Sequence, residues 1–306
     1  MAGASPAMIG WCESKTMSRV AFIGLGVMGF PMAGHLKTRG HDVVVFNRTR
    51  AKADAWAERF GGPIAATPEE AAQNADFVFT CVGNDDDLRS VTLGSHGAFA
   101  SLRPGAVFVD HTTSSATIAR ELHAAAQSRG AGALDAPVSG GQSGAENGTL
   151  TVMVGGDESG FAKAQPAIAS YARTVNLIGS SGSGQLTKMV NQICIAGLIE
   201  GLAEALHFGI RAGLDMEKVI DTISNGAAQS WQMDNRWRTM VEGKFDFGFA
   251  VDLMRKDFAI LLEEARANGA SLPVTALVDQ FYAEIQEMGG PRFDTSSLIA
   301  RLEGKT

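Results

Sequence analysis

The sequence predicts an α/β fold in which a doubly wound, mainly parallel sheet is followed by an all-helical second domain. Three observations carry this. Short β-rich runs alternate with helical stretches through the first half of the chain. Those runs lack polar alternation, as strands covered on both faces do. After the break Ile178-Gly179-Ser180-Ser181-Gly182-Ser183-Gly184 no further strand signal is found. A chain of 306 residues is long for one core, so two domains are the natural expectation. We expect residues 1–16 to be a disordered extension. Residues 17–180 then form the sheet domain, and residues 181–306 a helical domain that opens with a long interdomain helix.

The β-rich runs are Val20-Ala21-Phe22-Ile23, Asp42-Val43-Val44-Val45-Phe46, Phe77-Val78-Phe79-Thr80, Ala106-Val107-Phe108-Val109 and Gly132-Ala133-Leu134-Asp135. Between them residues 30–39, 50–60, 68–72 and 115–128 read as helices. A further pair of strands, 150–154 and 175–177, extends the sheet around a helix over 158–171. Beyond the break, residues 186–212 form one long helix, apolar nearly all round and therefore expected to be buried. Helices follow over 216–224, 230–241, 251–268, 274–288 and 297–302.

Composition narrows the functional classes. With 45% hydrophobic and 19% charged residues the chain has ample material for a core. A net charge of -7 speaks against a nucleic-acid partner, which calls for a basic face. Cys12, Cys81 and Cys194 are odd in number and lack metal-ligand spacing. They suit a reducing cytoplasm, with neither a disulfide framework nor a metal site. No apolar run approaches the roughly 20 residues of a membrane helix, and the first residues lack the cationic start of a signal peptide.

Gly24-Leu25-Gly26-Val27-Met28-Gly29 is G-x-G-x-x-G. Its context makes it informative, since it follows an apolar strand, opens a helix and is succeeded by a second strand. Gly24 permits the tight turn, Gly26 lets the backbone approach a pyrophosphate, and Gly29 lets helix and strand pack closely. The phosphates meet free N–H groups at the positive end of the helix. This is a Rossmann-type dinucleotide site. An NAD site usually places a carboxylate at the end of the second strand, whereas Asn47-Arg48-Thr49 stands here. Arg48 can pair with a 2′-phosphate, and Asn47 and Thr49 can hydrogen-bond it. NADP is the expected cofactor, with NAD as the alternative.

Three motifs farther along carry chemistry. Asp135-Ala136-Pro137-Val138-Ser139-Gly140-Gly141 offers consecutive N–H groups and a hydroxyl, a suitable seat for a carboxylate. In Gly184-Gln185-Leu186-Thr187-Lys188-Met189-Val190-Asn191-Gln192, Lys188 and Asn191 share one helix face. A lysine early in an otherwise apolar helix is poorly placed unless it has a role. Finally, Lys256 and Asp257 are adjacent on a later helix.

Together these motifs make the chain resemble the β-hydroxyacid dehydrogenase family, the 3-hydroxyisobutyrate dehydrogenases and their relatives, over nearly all of residues 20–302. The resemblance implies hydride transfer between the nicotinamide cofactor and a small carboxylate-bearing β-hydroxy acid or semialdehyde. It implies that Cys81, Val82 and Thr113 line the cofactor, with Thr113 near the nicotinamide ribose and the substrate. Ser139, Gly140 and Gly141 would anchor the substrate carboxylate. Phe249 and Asp257 would close the pocket, and Lys256 would lie against the cofactor. The sequence departs from the family pattern at Asp110-His111-Thr112-Thr113, at Gln192, and in the polar, aromatic stretch from Gly226 to Arg236 that contains Trp231. Gln192 and Trp231 are therefore candidate substrate contacts.

Lys188 is the expected general acid–base, its pKa lowered by burial, with Asn191 orienting it or the substrate hydroxyl. His111 is a secondary candidate, while His41, His96 and His123 read as surface or loop residues. The rival class is a non-catalytic NADP-binding sensor or interaction module, against which the pair Lys188 and Asn191 argues. Among enzymes, glyoxylate or succinic semialdehyde reductases and β-hydroxy amino acid dehydrogenases remain open. An imine reductase shares the architecture but usually replaces the lysine. The apolar long helix points to burial against a second subunit, hence a homodimer or homotetramer.

Overall fold

The computed structural model describes residues 17–302, so the extension expected over residues 1–16 lies outside the described residues. The chain enters through strand β1 (Arg19–Ile23), helix α1 (Gly29–Thr38) and strand β2 (Asp42–Phe46). Helices α2 (Arg50–Phe60) and α3 (Pro68–Ala72) lead to β3 (Phe77–Thr80). Next come α4 (Asp85–Leu93), a 3-10 turn at Ala98–Ser101, β4 (Val107–Asp110), α5 (Ala116–Gln127) and β5 (Gly132–Asp135). β6 (Val138–Ser139), α6 (Gly141–Glu146), β7 (Leu150–Gly156), α7 (Glu158–Ile168) and β8 (Ala172–Gly179) complete the first half.

The strands form one sheet in the order β2-β1-β3-β4-β5-β7-β6, with β8 paired to β7. Pairs from β2 to β5 are parallel, as is β7 with β8, whereas β7 runs antiparallel to β5 and β6. The sheet is thus mainly parallel and wound on both faces. One face packs Phe22, Phe79, Trp56 and Tyr171, and the other Ile23, Val78, Phe99 and Phe108. Each large side chain fully buried there contributes about 2–3 kcal/mol. Burial on both sides is why β3 and β4 carry no polar alternation.

Helix α4 has no counterpart among the expected helices. Asn84 caps it by accepting the Asp87 N–H at 2.8 Å, and Asp85, Asp86 and Asp87 complement the positive end of its dipole. A nine-residue acidic helix that turns only Leu88, Val91 and Leu93 to the core is too short for a reading based on periodicity. The last two strands run beyond their expected bounds, while α7 stops at Ile168 rather than 171. The turn after α7 directs Tyr171 into the core.

The second half is helical: α8 (Ser183–Arg211), α9 (Met216–Ile223), α10 (Trp231–Val241), α11 (Val251–Asn268), α12 (Pro273–Glu287), a 3-10 turn at Thr295–Ser297, and α13 (Leu298–Leu302). α8 is the hub, touching α10, α11, α12 and α13 as well as β7 of the sheet. By length and mean hydropathy it would suffice to cross a membrane, although polar and charged positions interrupt every apolar run along it. Within this fold Ile199, Leu202, Ala203 and Leu206 of α8 lie in the helical core.

Candidate active site

The glycine turn after β1 is fixed by contacts that only glycine allows. Gly24 has φ +100°, and a Cβ there would lie 2.2 Å from the Cys81 carbonyl oxygen. At Gly29 a Cβ would lie 1.9 Å from the Gly24 carbonyl oxygen, so α1 could not close on the turn. At Gly26 a Cβ meets nothing within 4 Å. The two outer glycines serve the fold, and the middle one faces open space of the kind a pyrophosphate requires. Val27 is exposed and Leu25 is buried. The Leu25 N–H donates to Asn47 Oδ1 at 2.8 Å, and Asn47 Nδ2 donates to the Thr49 carbonyl at 2.9 Å. Asn47 therefore ties the glycine turn to the end of β2 and retains one N–H for a ligand. Thr49 is the N-cap of α2 without a side-chain capping bond. Arg48 is highly exposed and reaches Asp87. These residues fit a dinucleotide.

Asp135 ends β5 and turns that position into the anchor of α8. Its two oxygens accept the Gly182 N–H at 2.7 Å and the Gln185 N–H at 2.9 Å. A carboxylate at a helix N-terminus also meets the favourable end of the dipole. Burial pushes its pKa up, and these backbone donors oppose the rise. Gly184 permits the close approach, since a Cβ there would lie 2.5 Å from the carbonyl oxygens of Asp135 and Met153. The anchored helix begins at Ser183, three residues before its expected start, because the anchoring partner lies 47 residues away in sequence. Gln185 is fully buried and clamps the loop after β4, accepting from the Ser114 N–H and donating to the Thr112 carbonyl.

One turn into α8, Lys188 is buried, with 8% of its surface exposed. Burial lowers its pKa from the usual lysine value; Asp257 acts against this and Lys256 adds to it. On the same helix face Asn191 Oδ1 accepts from the Ser139 hydroxyl at 3.4 Å, and Asn191 Nδ2 donates to Gln192 Oε1 at 2.9 Å. Gln192 Nε2 donates to Asp257 Oδ2 at 2.7 Å. Lys256 Nζ lies 3.0 Å from Asp257 Oδ1 and donates to the Thr113 carbonyl at 2.7 Å. A continuous polar chain thus runs from Ser139 on the sheet, through α8 and α11, back to the loop after β4. Lys188 sits beside it.

The remaining expected residues fall around this chain. Gly140 and Gly141 follow Ser139 with φ of +126° and +61°, a turn that requires glycine at the first position and favours it at the second. Cys81 and Val82 lie behind the glycine turn, the Val82 N–H donating to Thr112 Oγ1 at 3.0 Å. Burial pushes the Cys81 thiol up to about 12, so it stays protonated. Phe249 is held by its N–H on Asp294 Oδ2 at 2.9 Å and packs against the helical core. Trp231 is largely exposed at the start of α10, and its ring contact is Arg236, 4.9 Å from the ring centroid. Arg236 and Asp294 link it to Phe249. The hydrogen-bonded chain beside Lys188 does not include it.

His111 is corrected from a secondary proton-transfer candidate to a core residue. Its Nδ1 donates to the Ala136 carbonyl at 2.6 Å, which leaves Nε2 to accept from the Tyr171 hydroxyl at 2.7 Å. Its ring stacks on Phe79, and burial lowers its pKa to about 4. Both nitrogens are engaged and the ring is neutral. Reading by sequence also missed Asp110, which accepts from Thr80 Oγ1 at 2.7 Å and the Thr112 N–H at 3.0 Å. Burial raises it to about 7.

Comparison with known proteins agrees with this architecture. Residues 19–179 match the family described as the NAD binding domain of 6-phosphogluconate dehydrogenase. Residues 182–302 match the NAD-binding family of NADP-dependent 3-hydroxyisobutyrate dehydrogenase. An uncharacterised oxidoreductase of Shewanella frigidimarina is 64% identical over 94% of this chain and 99% of its own. The NAD-dependent L-serine dehydrogenase of Pseudomonas aeruginosa is 34% identical over 92% of this chain and 96% of its own. Among solved structures, Mycobacterium tuberculosis 3-hydroxyisobutyrate dehydrogenase with L-serine superposes with a TM-score of 0.86 at 32% identity, over 94% of this chain and 100% of that one.

Proposed function

The chain belongs to the β-hydroxyacid dehydrogenase family of nicotinamide-dependent oxidoreductases, and on that premise we propose that it transfers hydride between NADP(H) and a small β-hydroxy acid or its semialdehyde, with Lys188 as general acid–base. The observation that carries this reading is Lys188 itself. It is a nearly buried lysine, anchored through Asp135 and set beside a polar chain joining Ser139 to Asp257. A sensor that only binds nucleotide has no use for that arrangement.

Bound nicotinamide supplies the hydride in reduction and accepts it in oxidation. Everything else falls to this chain's residues. Ser139 with the turn Gly140-Gly141 holds the substrate carboxylate, using hydroxyl and backbone donors. Asn191, already bonded to Ser139, orients the reacting hydroxyl. In oxidation Lys188 Nζ takes the hydroxyl proton, and in reduction its ammonium returns a proton to the carbonyl oxygen and stabilises charge developing there. Its lowered pKa brings that exchange toward neutral pH, since the charged form is the one burial disfavours. Gln192 keeps Asp257 directed into the site, and Asp257 with Lys256 sets the charge that Lys188 feels. Phe249 and Trp231 come from the helical side, and Thr113, Cys81 and Val82 from the cofactor side. Arg48 and Thr49 support NADP over NAD. The two described cysteines are free thiols, in keeping with a cytoplasmic enzyme.

The test is a kinetic screen of 3-hydroxyisobutyrate, glycerate, serine and threonine with NADP+, and of glyoxylate, tartronate semialdehyde and succinic semialdehyde with NADPH, each repeated with NAD(H). Turnover of at least one pair with higher kcat/KM for the phosphorylated cofactor is the expected result. No turnover across the panel contradicts the substrate class, and an NAD preference contradicts the cofactor assignment.

A further inference from the structure

Arg48 is paired with a carboxylate of the protein itself. Its Nη1 lies 2.8 Å from Asp87 Oδ1, with 85% of the Arg48 side chain exposed against 28% for Asp87. The two partners are held very differently. Asp87 sits in the first turn of α4, its N–H fixed on Asn84 Oδ1. Its second oxygen overhangs Gly83, where a Cβ would lie 2.6 Å from it. The backbone of Asp87 is therefore held at the start of α4, and its short side chain has less reach than the long, exposed arginine. The other two acids of that turn face elsewhere. Asp85 accepts from the N–H and hydroxyl of Ser115, and Asp86 pairs with Arg89.

We propose that Asp87 is a specificity-determining residue that competes with the cofactor's 2′-phosphate for Arg48 and thereby restrains the preference for NADP. The inference rests on Arg48 being the 2′-phosphate ligand. A phosphate arriving at Arg48 must displace Asp87 and then stands near a carboxylate of the same sign. NAD brings only a hydroxyl to that position and meets neither obstacle. An exposed ion pair is weak enough to be displaced, and its loss changes an equilibrium by at most about fivefold. Repulsion of the phosphate acts in the same direction and is screened by salt.

Kd values for NADP+ and NAD+ on the full chain test this in the wild type, Asp87→Asn, Asp86→Asn, Arg48→Ala and the double variant Arg48→Ala/Asp87→Asn. Asp87→Asn is expected to raise the ratio of the NAD+ Kd to the NADP+ Kd by roughly three- to tenfold at low salt, and by less in high salt. Asp86→Asn, an equal change of charge on the same turn, is expected to shift the ratio by less than about twofold. In the Arg48→Ala background the effect of Asp87→Asn should shrink to the salt-screened repulsion alone, less than about twofold. If Arg48→Ala loses NADP+ affinity while Asp87→Asn leaves the ratio unaltered, or acts no more than Asp86→Asn, the inference is overturned and the cofactor assignment stands. If Arg48→Ala binds NADP+ as the wild type does, the cofactor assignment fails and the inference falls with it.

Discussion

Asp110 and His111 are neighbours at the end of β4, and burial moves them in opposite senses. Asp110 rises from the ordinary value of 3.8 to about 7, and His111 falls from 6.5 to about 4. A carboxyl raised in the folded state gives stability that is fully present below 3.8 and lost as pH climbs through 7. A histidine lowered in the folded state gives stability present above 6.5 and lost as pH drops through 4. The two oppose each other across the same window, so wild-type stability alone hides both. Asp110→Asn separates them. Relative to the wild type it should lose stability as pH falls from 7 to 4, by roughly 4 kcal/mol at most, as read from urea midpoints at several pH values. A difference independent of pH would contradict a raised Asp110. Single residues were unevenly legible in the sequence. Lys188, Ser139 and Asp257 could be named there because motif and spacing point to them. The roles of Asp110, Gln185 and Asp135 as internal hydrogen-bond centres could not, since their partners lie across the fold, 71 residues apart for Gln185 and Ser114.

At the scale of elements, the glycine turn shows which part of a motif serves the fold and which serves the ligand. Gly29→Ala forces a Cβ into the Gly24 carbonyl, so we expect a loss of several °C in Tm together with loss of cofactor binding. Gly26→Ala meets no atom of the protein. It should leave Tm nearly unchanged and weaken NADP binding by at least about tenfold, because the added methyl occupies the space a pyrophosphate needs. Thermal denaturation paired with NADPH titration distinguishes the two. Equal binding by Gly26→Ala would place the pyrophosphate elsewhere. Strands β3, β4 and β5 were legible because both faces are buried, and the long helices because their apolar faces repeat. Helix α4 and the two-residue β6 were not. One is held by a cap and acidic first turn, the other by pairing with β7, and both are too short to establish a period.

At the scale of the whole molecule, α8 joins the two halves. Asp135 anchors its start, Lys188 follows within its first two turns, and Lys256 of α11 closes back onto Thr113. The outer face of the same helix carries Val190, Leu198 and Phe208 exposed, an apolar stripe suited to a second copy of the chain. Sedimentation equilibrium should give a dimer or tetramer, and Leu198→Glu/Phe208→Glu should shift it toward monomer; a monomeric wild type would contradict a subunit contact there. The central claim is that this arrangement makes Lys188 the proton-transfer group. Its most direct test is turnover of Lys188→Ala on the best substrate from the kinetic screen, measured alongside NADPH binding by the same variant. Lys188→Ala is expected to lower kcat at least ~100-fold with NADPH still bound; retained turnover would rule out Lys188 as the proton-transfer group.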